Sequence, residues 1–314
     1  GYMARAAFLM DRVMHKIGLH GKSFIRMLIG FGCSVPAIMA TRILENRRTR
    51  LTTMMVIPLF SCGARLPIYA LIIPAFFAPA WHGPIMWMMY IIGILFAVLL
   101  ALLLRNTLFK GEAIPFVMEL PPYRMPTLRS LLLHMWDRGW QYLQKAGTVI
   151  LGISILLWAA STYPKLSDDK LAGLDEAGQQ SAQMQYSITG RVGHWIEPVL
   201  RPLGFDWKIG TALIGAFAAK EVFVAQMGIV YSVGEADEGS EALRQRLRAD
   251  YTPLKGLCIM LFCLLSSPCM ATVAVTAREA GSWKWAALQY VGLTVVAYLV
   301  TLVVYQVGTL LIGG

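Results

Sequence analysis

The 314-residue chain is 57% hydrophobic and only 15% charged, with a mean hydropathy of +0.57. Soluble domains carry about 25% charged residues, so the composition excludes a soluble globular protein and points to an integral membrane one. The net charge of +10 is spread over the segments between apolar runs. It therefore reads as membrane topology and not as a nucleic-acid footprint.

Apolar segments fall at 23–40, 51–77, 85–104, 146–163, 208–233, 254–275 and 286–312. The first has Lys22 and Arg26 at its start and Arg42, Arg47, Arg48 and Arg50 after it. Basic residues on both flanks put both ends in the cytoplasm. That predicts a re-entrant hairpin, two half-helices meeting near Gly32–Pro36. Segment 51–77 would span about 40 Å at 1.5 Å per residue, too long for one straight crossing. It is predicted to cross with an interruption near Cys62–Pro67. Segment 85–104 carries no charge and is ended by Arg105, which predicts a plain return helix.

In the basic loop 105–145, Leu128, Leu131, Leu132, Met135 and Trp136 recur at helical spacing, with Arg129, Arg138 and Lys145 interleaved. This predicts an amphipathic helix at the membrane interface. Segment 146–163 predicts an outward crossing. The connection 164–207, with six acidic and five basic residues counted through Lys208, lacks the cytoplasmic basic excess. Segment 208–233 is flanked by Asp206 and by Glu235, Asp237 and Glu238, which predicts a second hairpin entered from the opposite side. Segment 254–275 is broken at Ser267-Pro268-Cys269, and 286–312 is plain.

The two halves thus share one order: hairpin, broken helix, plain helix. Entry from opposite sides makes this an inverted-topology repeat. The predicted fold class is an all-α integral membrane protein, a polytopic helical bundle with re-entrant hairpins and broken helices. It divides into a cytoplasmic lead-in (1–22), a first gate half (23–104), a cytoplasmic loop (105–145) and a second gate half (146–314). Residues 1–22, 105–145 and 276–285 are expected in the cytoplasm, and 164–207 and 234–253 on the other side. Helix 146–163 has no counterpart in the first half, so a further N-terminal helix is expected ahead of this chain.

The chemistry gathers at the breaks Gly30-Phe31-Gly32-Cys33-Ser34-Val35-Pro36, Ser61-Cys62-Gly63-Ala64-Arg65-Leu66-Pro67 and Ser266-Ser267-Pro268-Cys269. Gly32, Pro36, Gly63, Pro67 and Pro268 weaken a helix at membrane depth, where a freed backbone group is tolerated only inside protein or beside a polar cavity. Transporters place substrate sites at such points. A thiol at each break suits a soft or borderline metal cation. Cys33, Cys62 and Cys269 are the candidate ligands, with Ser61, Ser267, Glu221 and unwound carbonyls. The three breaks are then expected near the bilayer midplane and close to one another. The alternative is that small Ser, Cys and Gly residues only allow close helix packing. Cys258 and Cys263 read as small buried hydrophobes.

Lys220-Glu221 lies in an apolar segment, where charges are rare and usually functional. Glu221 is a candidate to approach the cation and Lys220 to neutralise another carboxylate; a structural charge pair holding the hairpin is the equal alternative. Arg65 would repel a cation if free, so it is expected to bind broken-helix carbonyls or a carboxylate such as Glu221. The seventeen methionines form no cluster that calls for copper.

The runs Gly1 to Phe8, His20-Gly21-Lys22-Ser23-Phe24, Gly30 to Ile38, Arg42 to Arg47 and Ser61 to Pro67 resemble the membrane domain of ferrous iron transport protein B. Ala146 to Leu151, Pro202 to Trp207 and Ala218 to Glu221 look like that family's second gate region. The resemblance implies a nucleoside-transporter-like gate in a multi-pass cell inner membrane protein, with Fe2+ as the transported ion and no permanently bound cofactor. It also implies coupling to a GTP-binding portion. Gly21-Lys22-Ser23 mimics the end of a Walker A motif, but Lys16 stands where a glycine is required and no strand precedes it. The chain is thus read as a non-enzyme. Arg26 stands where the resemblance leads one to expect a small or apolar residue such as proline; it would snorkel to the interface or weaken the gate. The implied partners are Fe2+, membrane lipid, an N-terminal GTPase portion or split subunit, and a further copy in a homo-oligomer, with no nucleic acid. An organic-solute carrier and a non-transporting remnant or assembly subunit are the competing readings.

Overall fold

The computed structural model describes residues 2–108, 127–167, 176–233, 237 and 239–312, and no strand occurs among them. Helix α1 (Tyr2–Lys16) packs on α2 (Gly21–Gly30). The crossing is close: Gly21 N–H donates to Asp11 Oδ1 at 2.7 Å, and a Cβ on Gly21 would stand 2.2 Å from the Ala7 carbonyl oxygen. His20 Nδ1 accepts from Lys22 N–H at 3.1 Å and so caps α2. Residues 31–33 interrupt the helix, with Cys33 in extended conformation, before α3 (Ser34–Met39) turns back. Buried Arg26 donates to the carbonyls of Ala40, at 3.3 Å, and Lys22. One guanidinium therefore satisfies carbonyls on both arms of the hairpin. Arg26 does not snorkel outward; it clamps the hairpin shut.

Helix α4 (Arg47–Val56) is capped by Asn46 and ends in a tight turn at 57–59, and α5 (Leu66–Phe76) resumes the crossing after the expected break. Pro36 and Pro67 fall in the first turn of their restarting helices, where the missing N–H costs no helical bond. The prolines start the second half-helices, and residues 31–33 and 60–62 make the breaks. Helix α6 (Pro79–Asn106) starts six residues before the predicted segment and takes in Pro84.

Helix α7 (Leu128–Tyr142) passes through a wider π turn at 143–147 into α8 (Thr148–Thr162). Leu128, Leu131, Leu132, Met135 and Trp136 are all exposed on α7, and α8 buries no residue. The side chains of Arg138 and Lys145 lie outside the described residues, as do Glu235, Glu238 and loop residues 109–126. Among its described residues the connection 164–207 contains two helices that its composition conceals, α9 (Glu176–Tyr186) and α10 (Ile188–Leu200). Helix α10 packs on α11 (Trp207–Ala218). A Cβ on Gly193 would stand 2.3 Å from Thr211 Oγ1 there. Residues 219–221 form the break before α12 (Val222–Val230), which completes the second hairpin. After α13 (Glu241–Asp250), α14 (Pro253–Leu265) and α15 (Met270–Ala280) form the second broken helix, and α16 (Trp283–Ile312) the second plain one.

The repeat therefore begins one helix earlier than the sequence shows, because α10 lies on α11 as α1 lies on α2. Its Arg191, His194, Glu197 and Pro198 interrupt the apolar pattern and hid it. Two compact units result, one of residues 1–63, 90–149 and 271–289, the other of 64–89, 150–270 and 290–314. Each broken helix changes unit at its break (63/64 and 270/271), and each plain helix changes unit at 89/90 and 289/290. The units thus cut across the sequence halves, at matching places in both.

Burial explains why breaks are tolerated here. The most apolar stretches of the broken runs Arg47–Phe76 and Pro253–Ala280 are 67% and 83% buried, against 28% and 22% for the plain helices. The broken runs are thus mostly covered by protein, whereas the intact helices, whose backbone bonds are internal, leave most of their apolar stretch uncovered.

Polar contacts tie the ends of elements together within each unit. In the first unit Arg105 Nη1 donates to the Lys16 carbonyl at 3.2 Å, and Arg42 and Arg50 both bind Glu279. In the second, Tyr251 and Asp206 pair at 2.9 Å and Lys208 and Asp250 at 2.8 Å.

Candidate functional site at the helix breaks

In the first unit the two thiol-bearing breaks meet. Gly63 N–H donates to the Gly32 carbonyl at 3.1 Å, so the residues next to Cys33 and Cys62 are joined by backbone. Gly32 and Gly63 are exposed, Cys33 and Cys62 are partly so, and Ser61 and Ser34 are buried beneath them. Phe31 and Phe60, each two residues before its cysteine, pack edge to face with ring centroids 5.0 Å apart. This aromatic pair was not read as part of the site, though the repeated Phe-x-Cys spacing was the signal for it.

The second unit builds its break differently. Buried Lys220, at the hairpin tip, donates to Ser266 Oγ at 3.0 Å and lies over the Phe217 ring. Arg65, 2% exposed, belongs to the same unit, and its charge and that of Lys220 both bear on the fully buried Cys263 thiol. Ser267 is buried near the Tyr290 hydroxyl without forming a good hydrogen bond to it, and Pro268 is buried beside it. Cys269 is partly exposed.

The alternatives that paired Glu221 with Lys220 or Arg65 are not found among the described residues. Glu221 is exposed at the start of α12 and forms no ion pair among the described residues. Adjacent side chains diverge, so the ammonium turns inward to Ser266 while the carboxylate faces out. Among the described residues no three His, Cys, Asp or Glu side chains gather into a set able to hold a metal ion.

Models of two domain families cover most of the chain. The one described as nucleoside recognition, a gate domain, matches residues 1–76 and 143–283, and the one described as ferrous iron transport protein B C terminus matches 86–138. A Fe(2+) transport protein A/Fe(2+) transporter FeoB fusion protein of Porphyromonas gingivalis is 45% identical over 99% of this chain and 40% of its own length. The chain belongs to the ferrous iron transport protein B family. Fe(2+) transporters of Leptospira biflexa and Campylobacter jejuni are each 41% identical, over 99% and 100% of this chain and 46% and 51% of their own lengths. The chain spans about half the length of these family members. No solved structure matches it. The gate-domain match covers both hairpins and both broken helices, the elements that carry the thiols.

Proposed function

We propose that this chain is the gate portion of a ferrous-iron permease in the cell inner membrane, and that Cys33 and Cys62 hold the ion at the first break. The observation that carries this reading is the 3.1 Å bond from Gly63 N–H to the Gly32 carbonyl, which brings both thiol-bearing turns to one place. Ferrous iron is borderline in softness and accepts thiolates mixed with oxygens. Ser61 and unwound carbonyls supply the oxygens. Two thiols bind weakly enough to release the ion, as conduction requires. Lys220 and Arg65 make the second break positive, so Cys269, Ser267 and Glu221 serve passage more than retention. GTP-driven coupling comes from the remaining portion that the family resemblance implies. The fusion in the Porphyromonas relative makes a transport-protein-A domain a candidate partner.

Uptake of ferrous iron, measured anaerobically in transport-deficient cells expressing the chain joined to an N-terminal GTPase portion of a relative, tests the reading. Cys33→Ser and Cys62→Ser are each expected to weaken apparent affinity about tenfold or more, as for loss of a metal ligand, and Cys269→Ser to have a smaller effect. Unchanged uptake by the Cys33→Ser/Cys62→Ser double variant would remove the thiol site. The nucleoside-recognition match favours an organic solute as the second reading. Competition of a nucleoside with iron uptake, or nucleoside uptake itself, would establish that alternative.

A further inference from the structure

Each hairpin tip rests on a tyrosine of the plain helix. Phe31, beside the first thiol break, stacks on Tyr90 of α6 with ring centroids 5.8 Å apart. Phe217, one turn before Lys220, packs on Tyr290 of α16 at the same 5.8 Å. The two contacts occupy matching places in the inverted repeat. Tyr90 and Tyr290 are also the first residues of their helices that belong to the unit holding the hairpin tip in question. Each tyrosine therefore stands where a lipid-facing helix first joins the unit whose backbone is broken.

From there the contacts run straight to the thiols. In the first unit Tyr90 touches Phe31, and Phe31 also packs on Phe60. Gly32, next to Phe31, accepts from the N–H of Gly63, three residues past Phe60, which joins the turns that carry Cys33 and Cys62. In the second, Tyr290 touches Phe217 and lies near Ser267, while Lys220 spans from the Phe217 ring to Ser266, three residues before Cys269. The rings of Phe31, Tyr90, Phe217 and Tyr290 are partly exposed, so they are not held by a surrounding core.

The geometry points to Tyr90 and Tyr290 as positioning residues, paired aromatic pivots that each set how far one hairpin tip, and the thiols beside it, open from the plain helix. The inference rests on the proposed thiol path for its meaning in transport, but its test reads the thiols directly and uses no iron. Its failure would leave the iron reading standing, and loss of the iron reading would leave the pivots measurable.

The test is alkylation of the intact chain in lipid nanodiscs by N-ethylmaleimide, with rates resolved cysteine by cysteine by mass spectrometry. An aromatic contact of this kind, if it alone limits opening, corresponds to a change of about threefold to tenfold. Tyr90→Leu is expected to speed modification of Cys33 and Cys62 by that factor and to leave Cys269 unchanged. Tyr290→Leu is expected to do the reverse. Tyr90→Phe and Tyr290→Phe, which keep the rings, should react as the unaltered chain does. Phe31→Leu should reproduce Tyr90→Leu from the other side of the contact, which guards against a misfolded variant. Equal acceleration of all three thiols by either leucine variant, or no acceleration of the near thiols, overturns the proposal.

Discussion

The Lys220 ammonium donates to the Ser266 hydroxyl across 3.0 Å, tying the tip of the second hairpin to the break of the second broken helix. At the matching junction of the first half the tie is a backbone bond, Gly63 N–H to the Gly32 carbonyl, with Phe31 packed on Phe60 beside it. One junction ties through a buried cation; the other brings the turns of two cysteines together through a backbone bond.

Loss of that tie is measurable. Ser266→Ala removes an acceptor from a buried ammonium, and a hydrogen bond to a charged group contributes about 1.5–3 kcal/mol. Thermal or denaturant unfolding in detergent should show a loss of that size. Lys220→Met combined with Ser266→Ala should recover part of it, because the buried charge that lost this acceptor is then gone.

His20 makes the first hairpin sensitive to pH. Burial holds its pKa below the ordinary 6.5, and its Nδ1 lone pair accepts from Lys22 N–H. The neutral ring is the capping form, so its contribution is fully present above pH 6.5 and is lost as the pH falls below 6.5 toward the lowered folded value. His20→Asn keeps a capping acceptor but does not titrate. The stability difference between the two chains should therefore change between neutral and mildly acidic pH, with the unaltered chain weakening. A difference independent of pH would show that the cap does not titrate.

Two glycines set the crossings that precede the hairpins. A Cβ on Gly21 would meet the Ala7 carbonyl oxygen at 2.2 Å, and one on Gly193 would meet Thr211 Oγ1 at 2.3 Å and the Trp207 carbonyl at 3.1 Å. Gly21→Ala and Gly193→Ala should each destabilise by about 1–3 kcal/mol through overpacking. Gly152→Ala, where nothing lies within 4 Å, is the control and should be neutral or slightly stabilising in its helix. Unfolding of the three variants in parallel checks this.

Glu279 gathers the ends of three elements of the first unit. Its side chain is 6% exposed and binds Arg42 through both carboxylate oxygens and Arg50 at 2.9 Å, while Arg50 also donates to the Glu279 carbonyl. Glu279→Gln should cost about 1–3 kcal/mol, the smaller end reflecting the water that reaches Arg42. Arg42→Gln, at the more exposed partner, should cost less. An equal loss from both would mean that the pair acts through Arg42 alone.

Much of the architecture was legible because hydrocarbon imposes simple rules. Length and charge placed the plain helices, basic flanks placed the first hairpin, and Gly and Pro marked both broken helices, Pro268 within its break and Gly63 and Pro67 just after theirs. The hidden helix Ile188–Leu200 shows the limit: it buries one stripe against α11, so Arg191, Glu197 and Pro198 dilute its apolar signal. Arg26 shows another. Read alone it is a charge in an apolar segment; only the returning arm supplies the Ala40 carbonyl that accounts for it.

By itself, the sequence determined the class of protein, the order of hairpin, broken helix and plain helix, and the chemical character of each break, because composition and chain-local backbone constraints decide those. Tertiary structure alone decided which breaks meet. Gly32 with Gly63, Lys220 with Ser266 and Phe31 with Tyr90 are contacts between residues distant in the chain. No local propensity encodes them. They follow from packing broken helices inward, where every freed N–H and C=O must find a partner.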